Sequence, residues 1–254
     1  METIESYSYS SPLRLVHPNI KLFAVLLTLV LTIFCYHILV SIIVYLVTTF
    51  VAIYLLKVKW SSLIHLMRVP LSFIFLSVIT IIVEFGAPAT DIVLNFGDIV
   101  YISQSGIWRG LTVMLTAMAA ANAMYLLALS TPIIDFCEGL AMLKLPKSMV
   151  TLMLMIYRLI FVVSEMANKM RIAQTARLGY QTFREGLHSF GVLVSSIFIR
   201  SIKRTTKLYN ALEARAYNGD IVVLSQDYQM RYQLLAVTIL FNGLLFALWM
   251  LLWR

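Results

Sequence analysis

The feature that most restricts this chain is a run of 35 residues, Leu22–Leu56, without one Asp, Glu, Lys or Arg. About 20 apolar residues are enough for a helix to cross the hydrocarbon core of a bilayer. The run is therefore too long for one ordinary span and must fold back or tilt steeply. Arg14 and Lys21 precede it, and Lys57 and Lys59 follow it. Basic residues collect on the cytoplasmic side of membrane proteins, so basic flanks at both ends favour an even number of crossings. A hairpin turning near Cys35–His37 meets both conditions.

The rest of the chain continues the pattern. An apolar run over Val69–Val83 follows Arg68 and ends at Glu84; the acidic, glycine-containing stretch through Asp91, Asn95, Asp98 and Gln104 is then expected outside. Trp108, Arg109 and Gly110 lead into Leu111–Ser130, whose Ala117–Ala123 stretch offers small residues for close helix approach. Leu234–Trp253 is a last run, finishing in Trp249, Trp253 and Arg254 as suits a headgroup region. The expected fold is an all-α polytopic membrane protein with about five transmembrane helices and its amino terminus inside. Its composition, 61% hydrophobic and 13% charged, excludes an ordinary soluble enzyme. Met1–Ser11 carries Glu2 and Glu5 and lacks the basic start of a secretory signal, so the first run is expected to remain as an uncleaved anchor.

The stretch from Lys144 to Arg231 does not fit a simple span. It holds thirteen Lys or Arg against five Asp or Glu, most of the basic excess behind the net charge of +8. That concentration places it on the cytoplasmic side. Its two apolar runs, Met149–Val163 interrupted by Arg158 and Leu187–Ile199, make poor spans: one carries an arginine and the other is short. They read as apolar halves of two long helices whose polar halves cover Ser164–Tyr180 and Arg200–Tyr217. The expected division is an amino-terminal segment 1–21, a four-span membrane region 22–143, a two-helix module 144–231 and a final span 232–254.

Those polar halves hold an internal repeat. Lys169, Ala173, Ala176 and Arg177 recur at identical spacing as Lys207, Ala211, Ala214 and Arg215. At about 100° per residue, these positions share roughly a quarter-turn of helix surface. Each arginine precedes helix-ending residues: Gly179 and Tyr180 in the first copy, and Tyr217, Asn218 and Gly219 in the second. A guanidinium at a helix tip above small alanines suits an acidic or carbonyl-lined groove on a partner. A solvated basic face, or one lying on anionic lipid, is the plainer alternative. Two copies suit a partner that is a dimer with one groove per subunit.

Chemistry of other kinds is not visible. No G-x4-GK[ST] phosphate loop, HExxH or GxSxG occurs. His17, His37, His65 and His188 form no i, i+3 or i+4 pair, so no metal cage is expected from this chain and interfacial or packing roles are. Cys35 and Cys137 read as buried thiols. Asp135 and Glu138 after Pro132 read as acids at the start of a helix, and Met153, Met155 and Met170 as a repackable surface.

Three stretches resemble the T components of energy-coupling-factor transporters, the EcfT/CbiQ family, most closely its cobalt-uptake branch. They are Tyr9-Ser10-Ser11-Pro12-Leu13-Arg14 through His17-Pro18 and Lys21; Tyr157-Arg158 through Met170-Arg171 and Ala176-Arg177; and Glu213-Ala214-Arg215-Ala216-Tyr217-Asn218-Gly219. The resemblance implies a bacterial inner-membrane scaffold with two long cytoplasmic coupling helices, each tipped by an arginine motif that docks on one subunit of an ATP-hydrolysing dimer. It implies docking motifs at Ala176-Arg177-Leu178 and Ala214-Arg215-Ala216, supported by Lys169, Ala173, Lys207, Ala211 and Glu213. No cofactor is expected on this chain: ATP and magnesium would be held by the partner ATPase, and cobalt by a substrate-binding S component, with a small accessory membrane subunit as a further partner. The lipid bilayer is the remaining partner, and nucleic acid is not one. Family members often have glycine after each arginine, where this chain has Leu178 and Ala216. A T component for nickel, biotin or another vitamin, a stand-alone secondary transporter or channel, and a membrane anchor for nucleic acid are the competing readings. Proteins of the second kind usually carry ionisable groups or broken helices at membrane depth, whereas the first and second spans here carry no charge. The third lacks a recognised fold and aromatic interleaving.

Overall fold

A computed structural model describes residues 2–85, 92–95, 100–143, 145–216, 228 and 232–252. The chain divides into two compact units, Met1–Phe136 with Gln226–Arg254, and Cys137–Ser225. The described secondary structure is almost wholly helical, and five helices are long and apolar enough to cross a membrane. The protein is an all-α multi-pass membrane protein.

In the first unit, the uncharged run folds into two helices, α2 (Pro18–Cys35) and α3 (Ile38–Tyr54), reversing at Tyr36 with a left-handed φ of 40°. The hairpin sits where the flanking charges placed it. Two histidines start these helices: His17 Nδ1 accepts the Asn19 N–H at 3.2 Å, and His37 Nδ1 accepts the Leu39 N–H at 3.3 Å. Each thus satisfies one of the amide donors that a helix start leaves free, and Pro18 occupies a first-turn position where its missing N–H costs nothing.

The remaining helices of this unit are α1 (Glu2–Ser10), α4 (Trp60–Ile82), α5 (Gln104–Ser130) and α9 (Tyr232–Leu252). Helix α6 (Ile133–Met142) begins after the Pro132 turn with Asp135 in its first turn and crosses the boundary between the units. Helix α5 is the centre of the unit, packing on α2, α3 and α4, while α9 packs on α2 and α3. Ala119 and Ala123 on α5 are buried, and Ala119 lies in one cluster with Val40 and Val44 of α3, so the alanine stretch serves close packing. Gly110 extends that approach: a Cβ there would lie 2.8 Å from Ile82 Cγ1.

Lipid tails give membrane helices no hydrophobic reason to associate, so packing and interhelical hydrogen bonds take over. Asn122 Nδ2 on α5 donates to Thr48 Oγ1 and Thr49 Oγ1 on α3, both at 2.8 Å. Ser41 and Thr116 hydroxyls pair at 2.9 Å between the same helices, and Asn242 Nδ2 on α9 donates to Thr28 Oγ1 on α2 at 3.2 Å. Helix α4 contains Pro70, whose ring nitrogen cannot serve the carbonyl of Leu66. The Tyr125 hydroxyl of α5 donates to that carbonyl at 3.0 Å.

The segment after Ile82, expected outside, holds a three-stranded antiparallel sheet. Its strands are β1 (Val83–Phe85), β2 (Ile92–Asn95) and β3 (Val100–Ser103), with β3 in the middle. Asp91 and Asp98 of that segment lie outside the described residues, as do Lys144, Trp253 and Arg254. The amino-terminal segment is held down by charge. Arg14 lies 4.9 Å over the Tyr9 ring, its Nε is 3.7 Å from Asp135 Oδ2, and Lys21 Nζ donates to the Ser130 carbonyl at 3.1 Å. Burial, with the charges of Glu5 and Asp135 beside it, pushes the Tyr9 phenol up.

The second unit contains α7 (Lys147–Ala176) and α8 (Phe183–Glu213), which pack on each other. Each joins an apolar and a polar stretch, as the sequence indicates. One difference concerns α7. Because it runs unbroken past Arg158, its apolar stretches on both sides of that residue merge into a segment long and apolar enough to span, whereas α3, at 17 residues, is among the shorter apolar helices. The five span-length helices are thus α2, α4, α5, α7 and α9, where the sequence pairs α3 with α2 and leaves α7 out.

Candidate docking site

Both repeat copies end helices, and they end them the same way. Ala176 is the last residue of α7, and Arg177 follows with φ −93° and ψ 15°. Leu178 then turns into the left-handed region at φ 62°. In the second copy Glu213 closes α8, Ala214 and Arg215 follow, and Ala216 is left-handed at φ 56°. An L-residue pays about 1–2 kcal/mol for that conformation, a cost glycine escapes. Leu178 and Ala216 adopt this turn without a glycine's freedom.

The first tip is fastened from beneath. The Gly179 N–H returns to the Gln174 carbonyl at 2.9 Å, and the Leu178 N–H to the Thr175 carbonyl at 3.0 Å, closing the last turn of α7. Gln174 Nε2 donates to the Ser189 carbonyl on α8 at 2.9 Å, Ser189 Oγ donates to the Gly179 carbonyl at 2.7 Å, and the Tyr180 hydroxyl donates to Gln174 Oε1 at 2.8 Å. A Cβ on Gly179 would stand 2.6 Å from Ser189 Oγ. Thr182 and Glu185 form a reciprocal capping box that starts α8. Gly179 and Tyr180 are legible in the sequence as helix-ending residues, whereas Gln174 and Ser189 carry no local signal of their part in this turn. The Thr182-x-x-Glu185 spacing is a further local signal of this turn.

Arg177 and Arg215 are both solvent-exposed, as are Lys169, Ala173, Ala176, Lys207, Ala211, Glu213 and Ala214. Lys169 is paired with Glu165 one turn earlier at 2.7 Å, an exposed contact worth little. Tyr217, Asn218 and Gly219, read as ending the second copy, lie outside the described residues. The two tips are not brought together: α8, 31 residues long, lies between them, and at 1.5 Å per residue it sets them about 45 Å apart. Among the described residues no three His, Cys, Asp or Glu side chains gather to hold a metal ion. Cys35 and Cys137 are buried, and burial pushes the Cys137 thiol up, away from the reactive thiolate.

Both tips, and every helix from α2 to α8, lie within the segment matched by a known family. Residues 9–227 match the family model of the CbiQ cobalt transport protein. The chain belongs to the CbiQ cobalt transport family. It is thus a membrane component of cobalt transport. CbiQ relatives agree at modest identity. The cobalt transport protein CbiQ of Rhodobacter capsulatus is 30% identical over 50% of this chain and 52% of its own. The CbiQ of Salmonella typhimurium is 24% identical over 61% of this chain and 70% of its own. A putative fused cobalt transport protein CbiMQ of Methanocorpusculum labreanum is 29% identical over 54% of this chain and 23% of its own. An uncharacterised protein of Methanocaldococcus jannaschii is 28% identical over 87% of this chain and 82% of its own.

Proposed function

We propose that this CbiQ-family chain is the transmembrane coupling subunit of an energy-coupling-factor importer for cobalt. The observation that carries the reading is the pair of matched tips: two exposed arginines, each ahead of a left-handed turn, at the ends of α7 and α8. A dimeric ATPase offers two equivalent grooves, and a rigid helix between the arginines fixes the distance at which both are engaged. ATP and magnesium belong to that partner, and the Co2+ cargo belongs to a substrate-binding S component. A relative named as a fused cobalt transport protein is consistent with a membrane subunit working beside this one. In this arrangement the amino terminus and the two arginine tips face the cytoplasm of a bacterial inner membrane. The α7–α8 unit passes nucleotide-driven closure of the ATPase pair to the membrane helices. Nickel, biotin or another vitamin as cargo would leave this arrangement unchanged.

Reversing both charges, Arg177→Glu with Arg215→Glu, is expected to release the ATPase subunits during purification and to abolish cobalt uptake by cells. Retained ATPase and retained uptake in the double variant would refute the reading.

A further inference from the structure

Asp135 sits in the first turn of α6 with its side chain only 4% exposed, and a carboxylate so far from water needs a partner. The partner comes from the other end of the unit's sequence: Arg14 Nε stands 3.7 Å from Asp135 Oδ2. Neither atom makes a hydrogen bond among the described residues, so their mutual charge is what compensates them. A second tie lies beside the first. Lys21 of α2, itself buried, donates to the Ser130 carbonyl at the end of α5 at 3.1 Å, where a cation also meets the negative end of the α5 dipole. Between the two ties, Thr131 and Pro132 are buried. The turn from α5 into α6 is thus pinned at both ends to the amino-terminal segment and α2. Its position matters, because the chain leaves the first unit inside α6, directly after Phe136. A buried ion pair without further hydrogen bonds is a poor source of stability, and an apolar pair of like volume often does as well or better. What the ion pair adds is a fixed address for the root of α6.

We propose that Arg14 and Asp135 are positioning residues for transport: they anchor the root of α6 to the membrane unit, so that displacement of the α7–α8 unit is delivered to α2 and α5 instead of being absorbed by the turn at Thr131–Pro132. Neither residue touches cargo or nucleotide. Lys21 with the Ser130 carbonyl is the second strut of the same anchor, and the Tyr9 ring, 4.9 Å from the Arg14 guanidinium, holds that group in place. This rests on the proposed function, since an anchor for a stroke presupposes a stroke to transmit.

The test uses the whole assembly in liposomes, this chain with the ATP-hydrolysing and substrate-binding subunits of the same organism, with Co2+ uptake and ATP hydrolysis measured on the same sample. Arg14→Gln and Asp135→Asn are each expected to retain the ATPase and its hydrolysis while the cobalt taken up per ATP falls about tenfold, inside the range that coupling between sites spans. The two substitutions together are expected to cost no more than either alone, since each already breaks the same tie. Arg14→Lys, which keeps the charge, is expected to recover most of the ratio. Where a single variant fails to fold because a buried charge is left unpaired, Arg14→Leu with Asp135→Leu removes both charges and is expected to fold, again with a reduced ratio. A clasp that serves stability alone would lower the thermal midpoint and leave cobalt per ATP unchanged in the folded complex, and that result overturns the inference. An additive loss in the double variant overturns it too, as does loss of the ATPase from the Arg14→Gln complex, which would assign the pair to docking. If the unsubstituted assembly hydrolyses ATP and takes up no cobalt, the proposed function itself fails; if it couples and the variants couple equally well, only this inference does.

Discussion

Tyr125→Phe deletes one oxygen atom, and the structure says what that atom does. Pro70 leaves the Leu66 carbonyl of α4 without the N–H that a regular helix would supply, and the Tyr125 hydroxyl of α5 replaces it at 3.0 Å. Interhelical hydrogen bonds in membrane proteins average only about 0.6 kcal/mol, because the separated helices find other partners. A proline-freed carbonyl has fewer partners, so the cost of leaving it unpaired, about 1–3 kcal/mol, is the better guide. Tyr125 is half-buried, which leaves some access to solvent; about 1.5 kcal/mol is expected, in the lower part of that range. The assay is a double-mutant cycle with Pro70→Ala, read by unfolding of the purified protein in mixed detergent. Alanine restores the helical N–H, so Tyr125→Phe should cost about 1 kcal/mol less in that background. An equal cost in both backgrounds would refute the idea that this hydroxyl compensates for the proline.

Two glycine substitutions probe close approaches. Gly110→Ala places a Cβ 2.8 Å from Ile82 Cγ1 and should loosen α4 from α5, lowering stability in the same unfolding assay by about 1–2 kcal/mol. Gly179→Ala meets Ser189 Oγ at 2.6 Å and should break the Ser189–Gly179 hydrogen bond. Its expected result is increased proteolytic cleavage between Arg177 and Arg184, with ATPase retention reduced to a degree that adding Ser189→Ala partly restores.

The elements that could be read from the sequence are those whose signal is local. The absence of charge over Leu22–Leu56 and the basic flanks were enough to place the α2–α3 turn at Tyr36. The repeat of Lys169–Arg177 at Lys207–Arg215 located both helix ends, because spacing along a helix is a property of sequence. The small sheet was missed since Ile92–Asn95 and Val100–Ser103 are four residues each, too short for alternation to stand out beside acidic and glycine residues. Arg14 with Asp135, and Tyr125 with Leu66, were invisible for another reason: each joins residues far apart in the chain. At the candidate site, the position of the two arginines at helix ends was legible. The left-handed turn beyond them was not, because leucine and alanine give no sign of positive φ.

The hydroxyl and amide bonds between α3 and α5 have a mechanical consequence. Apolar helices slide over one another at small cost, since one methyl group is much like the next. Asn122 meets Thr48 and Thr49, and Ser41 meets Thr116, as individual pairs with single addresses. A slip of one helical turn, about 5.4 Å, would break all of them at once. Helices α3 and α5 therefore behave as one fixed block, a stator against which any working stroke must be made by other parts of the molecule.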